Sequence, residues 1–159
     1  MTSAPTTTPP LDDASIELGS IYRSRAVCAD AADDRQLDDP RAGAWTVGAR
    51  VPHLLLGDGL STLDSVGTQF ALLTSERQDL WSRAAADAAE AFHVSIAVRD
   101  LPGGASATGS GAHAVPAAAL ARPDGVLAWK SGENADEGAR ELPRVMAAIL
   151  DAEPTGVDT

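Results

Sequence analysis

At 159 residues and 44% hydrophobic content, the chain can build one domain with a real core but not a further dinucleotide-binding domain of ordinary size. Its formal charge of −11 disfavours nucleic acid or an anionic membrane surface as partner, since both require a basic footprint. The opening MTSAPTTTPP has neither the basic nor the apolar stretch of a secretory leader, and no run approaches a membrane span, so a cytoplasmic location is expected.

Thr, Pro and Ser dominate Met1 to Pro10, which has little apolar surface to offset its ordering entropy; residues 1–12 are predicted to be a disordered tail. Ile16 to Val27 spaces Ile16, Leu18, Ile21, Tyr22 and Val27 as an extended arm with one strand. Asp30 to Pro40, DAADDRQLDDP, reads as a solvated acidic linker. Arm and linker occupy 13–43, ahead of a domain over 44–151 and a flexible tail over 152–159.

Within that domain, His53 to Leu56 and Ser61 to Val66 are short apolar runs around Gly57-Asp58-Gly59, a hairpin pattern. Gln69 to Leu73 reads as a strand. Ser75 is placed as N-cap, with Gln78 three residues on, of a helix whose stripe is Trp81, Ala84, Ala85, Ala88 and Phe92. Val94 to Val98 follows as a strand and completes a β-α-β unit with parallel strands. Pro102 to Gly111, PGGASATGSG, is a flexible loop by composition. Ala118 to Ala121 and Val126 to Lys130 flank Arg122-Pro123-Asp124-Gly125 as an antiparallel hairpin. Leu142, Val145, Met146, Ile149 and Leu150 line one face of a last helix, expected to start close to Pro143 because proline is tolerated in a first turn and not deeper.

Gly48 to Leu73, GARVPHLLLGDGLSTLDSVGTQFALL, resembles the opening of the C-terminal domain of FAD-dependent aromatic-ring hydroxylases, the phenol-hydroxylase-like flavin monooxygenases. Arg50, Pro52, His53, Asp58, Gly59, Ser61, Thr62 and Asp64 carry the likeness. Ala121 to Lys130, ARPDGVLAWK, is similar to that domain's closing signature through Arg122, Pro123, Asp124, Gly125 and Trp129. Leu18, Gly19, Tyr22 and Ser24 match the segment that joins the flavin portion to this domain in the family. The resemblance implies a thioredoxin-like α/β fold, a mixed central sheet with flanking helices, and the element order read from the residues is the same. It also implies a parent activity, hydroxylation of a phenolic or polyketide aromatic with NAD(P)H and oxygen.

The chemistry expected of this chain alone is narrower. Cys28 has no second thiol, so it can form neither an internal disulfide nor a CxxC redox site, and it reads as inert. Thr74-Ser75-Glu76-Arg77, where a redox thioredoxin carries its thiols, contains no sulfur. No Gly-x-Gly-x-x-Gly turn is present for a flavin pyrophosphate. Gly57-Asp58-Gly59 reads as a turn, and the glycine-rich loop lacks the Lys and Ser/Thr of a P-loop. His53, His93 and His113 are too scattered for a metal site. His53 is expected to bond backbone near the arm, and Arg50 and Asp64 to pair across the hairpin or dock on another domain. Trp81 and Trp129 fit core positions, while Trp45 fits an edge cover. A Ser61–His53–Asp64 triad can be drawn, but nothing in the spacing recommends it. No catalytic, cofactor or metal residue is therefore assigned, and the signature residues are read as structural or docking.

The expected function is that of a stand-alone homologue of the hydroxylase C-terminal domain, non-catalytic by itself, in a structural, dimerisation or partner-docking role. FAD and NAD(P)H belong to a parent or partner enzyme. The partners expected are a second copy or a flavoprotein hydroxylase. An accessory subunit of a split hydroxylase, or a small ligand-binding protein, is the alternative.

Overall fold

The computed structural model describes residues 13–29, 33–40, 44–56, 59–101 and 115–154. Predictions for the N-terminal tail, the glycine-rich loop, Asp58 and His113 lie outside these residues. The frame is a four-stranded sheet in the order β2-β1-β3-β4. Strands β1 (Phe70–Thr74) and β2 (Ile96–Asp100) run parallel and are joined through helix α2 (Gln78–Phe92). β3 (Ala118–Ala121) lies antiparallel to β1 and to β4 (Leu127–Lys130), and helix α3 (Ala135–Leu150) closes the chain. This is the mixed α/β architecture expected, a β-α-β unit, a hairpin and a final helix, with no second thiol beside Cys28.

Two-residue periodicity divides the core between the faces of the sheet. Leu72, Ala118 and Leu120 join Trp81, Ala85 and Ala88 of α2 and Leu142, Val145 and Met146 of α3 in one cluster. Ala71, Leu73, Ala119 and Ala121 point the other way, toward Trp45, Val51, Leu54 and Leu56. A register shift at Leu120/Ala121 interrupts the β3–β4 ladder, which explains why Leu127 joins the second cluster while Trp129 joins the first. Trp129 meets Trp81 edge-on at a 6.3 Å centroid distance.

The alanine-rich stripe of α2 lets α3 approach closely, and Gly138 marks the contact. A Cβ there would lie 2.9 Å from the Trp81 ring and 3.0 Å from Ser131 Cβ. Although valine or alanine is a better helix former than glycine, Gly138→Val is expected to destabilise the fold by about 1–3 kcal/mol through overpacking against a buried indole. Chemical denaturation checks it; an unchanged midpoint would contradict the close approach.

Several local expectations are corrected. The arm forms helix α1 (Asp13–Leu18), not a strand, and Ser20 then makes a single antiparallel bridge with Leu37. The described part of the acidic linker is braced as well as solvated. Asp33 takes a bidentate ion pair from Arg35, whose side chain first and backbone N–H second hold that carboxyl down to about 2. Ser75 is not the N-cap of α2: its hydroxyl donates to the Pro116 carbonyl at 2.9 Å, and Arg77 in the left-handed region starts the helix without a side-chain cap. Pro143 sits deep inside α3, which begins at Ala135 because the Asn134 side chain accepts from the Asp136 and Glu137 N–H groups. Burial of Leu142, Val145, Met146 and Ile149 on either side of the proline offsets the backbone bond it removes. The hairpin around Gly57-Asp58-Gly59 shrinks to one bridge, Leu55 with Ser61, and a 3-10 turn (Thr62–Ser65) replaces its return strand.

Candidate functional site

The two sequence signatures meet at the outer edge of β4. Gly48 donates to the Leu127 carbonyl at 2.8 Å, Leu127 returns a bond to Ala49 at 2.8 Å, and Val51 donates to the Gly125 carbonyl at 2.9 Å. Arg50 and Val126 form the antiparallel bridge between them. The first block thus covers the edge of the second, and the arm extends the seam through Tyr22 N–H to the Gly48 carbonyl and Cys28 N–H to the Ala128 carbonyl. Nothing in either block taken alone signals this contact.

Inside the first block, a polar network fixes the turn. Thr62, fully buried, donates its hydroxyl to the Pro52 carbonyl at 2.5 Å and accepts the Leu54 N–H at 3.0 Å. Ser61 donates both its N–H, at 2.7 Å, and its hydroxyl, at 2.8 Å, to one Asp64 carboxylate oxygen, a capping box on the 3-10 turn. In the second block Gly125 adopts φ +79° and donates to the Arg122 carbonyl, while the Arg122 guanidinium pairs with Asp124. Trp129 is core; Trp45 is buried as well, in the cluster with Val51, Leu54 and Leu127, and its carbonyl accepts from Lys130 of the edge strand β4 at 3.0 Å.

Hydrogen bonds from the Ser61 hydroxyl, and then from its N–H, pull the Asp64 carboxyl below its ordinary value, with the nearby His53 imidazole adding to the effect. A depressed folded-state pKa contributes stability above the unfolded value and loses it as pH falls through the folded value. The stability difference between the wild type and Asp64→Asn is therefore expected to be complete at neutral pH and to shrink only below about pH 4, where unfolded carboxylates protonate. Urea unfolding across pH measures this; a difference that grew on acidification would refute the sign.

These positions do not assemble a reacting centre. Asp64 holds Ser61 directly with no imidazole between them, so the triad geometry is absent. Arg50 does not pair with Asp64, and His53 is exposed and makes no backbone hydrogen bond among the described residues. Burial, and secondarily the Glu141 carboxylate, push the Cys28 thiol up, the opposite of an activated nucleophile. What the blocks do create is a pocket of about 240 Å³ between arm and first signature, walled by Leu18, Val51, Pro52 and Leu63, with Arg50 and His53 at its rim. Leu18, Leu60 and Leu63 stay 45%, 46% and 46% exposed, and Leu55 66%.

This sheet, with one signature laid along the edge of the other, is the C-terminal domain of aromatic-ring hydroxylases: residues 44–153 match the family described as aromatic-ring hydroxylase, C-terminal, and the chain belongs to it. It is 35% identical over 144 residues to aklavinone 12-hydroxylase RdmE of Streptomyces purpurascens, covering 84% of this chain and 26% of that protein. A 4-methyl-5-nitrocatechol 5-monooxygenase of a Burkholderia species is 32% identical over 157 residues, which is 88% of this chain and 28% of the relative. Among solved structures, an aklavinone-11 hydroxylase in ternary complex with FAD and aklavinone superposes with a TM-score of 0.72 at 29% identity, over 89% of this chain and 28% of that one. The chain thus spans about a quarter of the length of the relatives it matches.

The described residues do not fit the FAD of that complex. A pyrophosphate is held by unclaimed N–H groups at a glycine-lined helix start. Helix α2 begins after Ser75-Glu76-Arg77, which has no glycine and carries a carboxylate. At α3, Asn134 already takes the Asp136 and Glu137 N–H groups, and those two carboxylates would repel a phosphate. Among the described residues no helix is long and apolar enough to cross a membrane, and no cluster of side chains could hold a metal ion.

Proposed function

We propose that this chain acts as the flavin-free C-terminal module of an FAD-dependent aromatic hydroxylase system, supplying scaffold and a docking face and no catalytic group. The observation that carries the reading is the division of labour in the first signature. Ser61, Thr62 and Asp64 are spent on internal hydrogen bonds, while Leu55, Leu60 and Leu63 of the same signature stay exposed. By this reading the thioredoxin-like domain spans 44–151, preceded by an arm that leads toward the flavin-bearing portion, and the system works in the cytoplasm on a phenolic or polyketide aromatic such as the aklavinone of its relatives.

The exposed Leu55, Leu60 and Leu63 suit equally a second form of the same reading, an accessory subunit whose flavin-bearing partner is a separate polypeptide. Turnover separates the possibilities. Purified chain supplied with aklavinone, FAD, NADPH and oxygen is expected to give no hydroxylated product; product formed by the chain alone would overturn the proposal. Product formed only after a flavoprotein fraction is added would identify the subunit form.

A further inference from the structure

A second cavity, of about 330 Å³, lies where the arm and the braced linker fold over the end of β4. Arg23 and Cys28 enter it from the arm, Thr46 from the segment ahead of the first signature, Trp129 and Lys130 from β4, and Glu141 from α3. The Cys28 N–H, bonded to the Ala128 carbonyl at 2.7 Å, fixes the arm wall against the strand.

Polar groups held this closely are normally spent on the fold, and several here are not. The buried hydroxyls of Ser61, Thr62, Ser65, Thr74 and Ser131 each have a hydrogen-bond partner. Thr46 is only 6% exposed, yet its hydroxyl has none among the described residues, and the cavity it lines is where that group can find one. Lys130 gives one of its three donors to the Trp45 carbonyl and keeps the others. Arg23 gives one donor to the Arg35 carbonyl at 2.8 Å and stands 3.8 Å from Asp33, whose carboxylate Arg35 already holds at 2.6 Å. Glu141 makes no ion pair among the described residues, although Lys130 and Arg23 line the same cavity. Burial, and then the Glu141 carboxylate, keep the Cys28 thiol neutral, so no thiolate consumes these cations. A plain anion would meet Lys130 and Arg23 but be repelled by Glu141, and a plain cation would meet the reverse. A molecule with both charges satisfies all of them.

We propose that this cavity binds a small zwitterion of amino-acid chemistry, its carboxylate held by Lys130 and Arg23 with the Thr46 hydroxyl donating to it, and its ammonium held by the Glu141 carboxylate. The site is separate from the exposed leucines and does not depend on their reading as a docking face.

Amide chemical shifts of the isotope-labelled intact chain, recorded at low ionic strength, test it. Glycine, β-alanine and γ-aminobutyrate are titrated in turn, each beside the analogue that lacks its ammonium and the one that lacks its carboxylate. At least one zwitterion is expected to give saturable shifts at Cys28, Val47 and Glu141, and its singly charged analogues to bind about tenfold more weakly or worse. Thr46→Val and Glu141→Gln should each weaken that binding by about fivefold or more while leaving the urea midpoint unchanged, because neither side chain holds the fold together. No saturable binding by any of the three, an ammonium-free analogue bound as tightly as its zwitterion, or either variant binding like the wild type would overturn the proposal. A marked loss of stability in Thr46→Val would overturn it too, since the hydroxyl would then be partnered within the fold.

Discussion

Replacing Trp81 with alanine is expected to destabilise the domain by about 3–5 kcal/mol, the range for deleting a fully buried indole. The ring is wholly enclosed between α2 and α3, packs edge-on against Trp129 at 6.3 Å and lies against Gly138, so few neighbours are free to collapse into the space. Trp81→Phe should cost much less. Among the described residues the indole Nε1–H has no acceptor, and removing a buried, unpaired donor relieves roughly 1–3 kcal/mol of desolvation that partly offsets the lost area. Urea unfolding of both variants distinguishes the terms. Equal damage from Phe and Ala would show that the indole N–H is paired in solution.

The second large effect belongs to Thr62→Val. This near-isosteric change strands the Pro52 carbonyl without its donor and the Leu54 N–H without its acceptor, in a site with no solvent access. At about 1–3 kcal/mol for each stranded group, a loss of roughly 2–5 kcal/mol is expected. Thr62→Ser keeps the hydroxyl and should recover most of the loss. Because the hydroxyl ties Pro52 and Leu54 into the turn, Thr62→Val should also raise hydrogen exchange at the Leu54 amide. A stable Thr62→Val variant would mean the first signature is kept in shape by something other than this network.

Much of the fold was legible because it rests on periodicities the residues state openly. Alternation in FALLT, AALA and LAWK, and the 3.6-residue stripes led by Trp81 and Leu142, each have their own buried partners. The failures came where tertiary contacts override local preference. Pro143 is held inside α3 by leucine, valine and methionine packing that a single strand of sequence does not display. Ser75 had the chemistry of a cap but found the Pro116 carbonyl, 41 residues away, instead. The 3-10 turn at Thr62–Ser65 followed from hydrogen bonds back to Pro52 and Leu54, which pattern reading cannot supply.

The candidate site shows the same division. The signature residues stood out one by one, and their resemblance already pointed to the family that residues 44–153 match. That Arg50 would lie along Val126, and that Leu18 and Leu63 would share a pocket, depended on the path of the arm across the edge of β4. Exposed leucines within an otherwise polar turn were the signal available for that pocket, and an alternating hairpin pattern concealed it.

The central claim, that this domain carries scaffold and docking surface but no cofactor site, is tested most directly by incubating the purified chain with excess FAD, removing free flavin by gel filtration and recording the visible spectrum of the protein peak. The account predicts a colourless peak with all the flavin in the salt volume. A yellow protein peak holding one flavin per chain would contradict it.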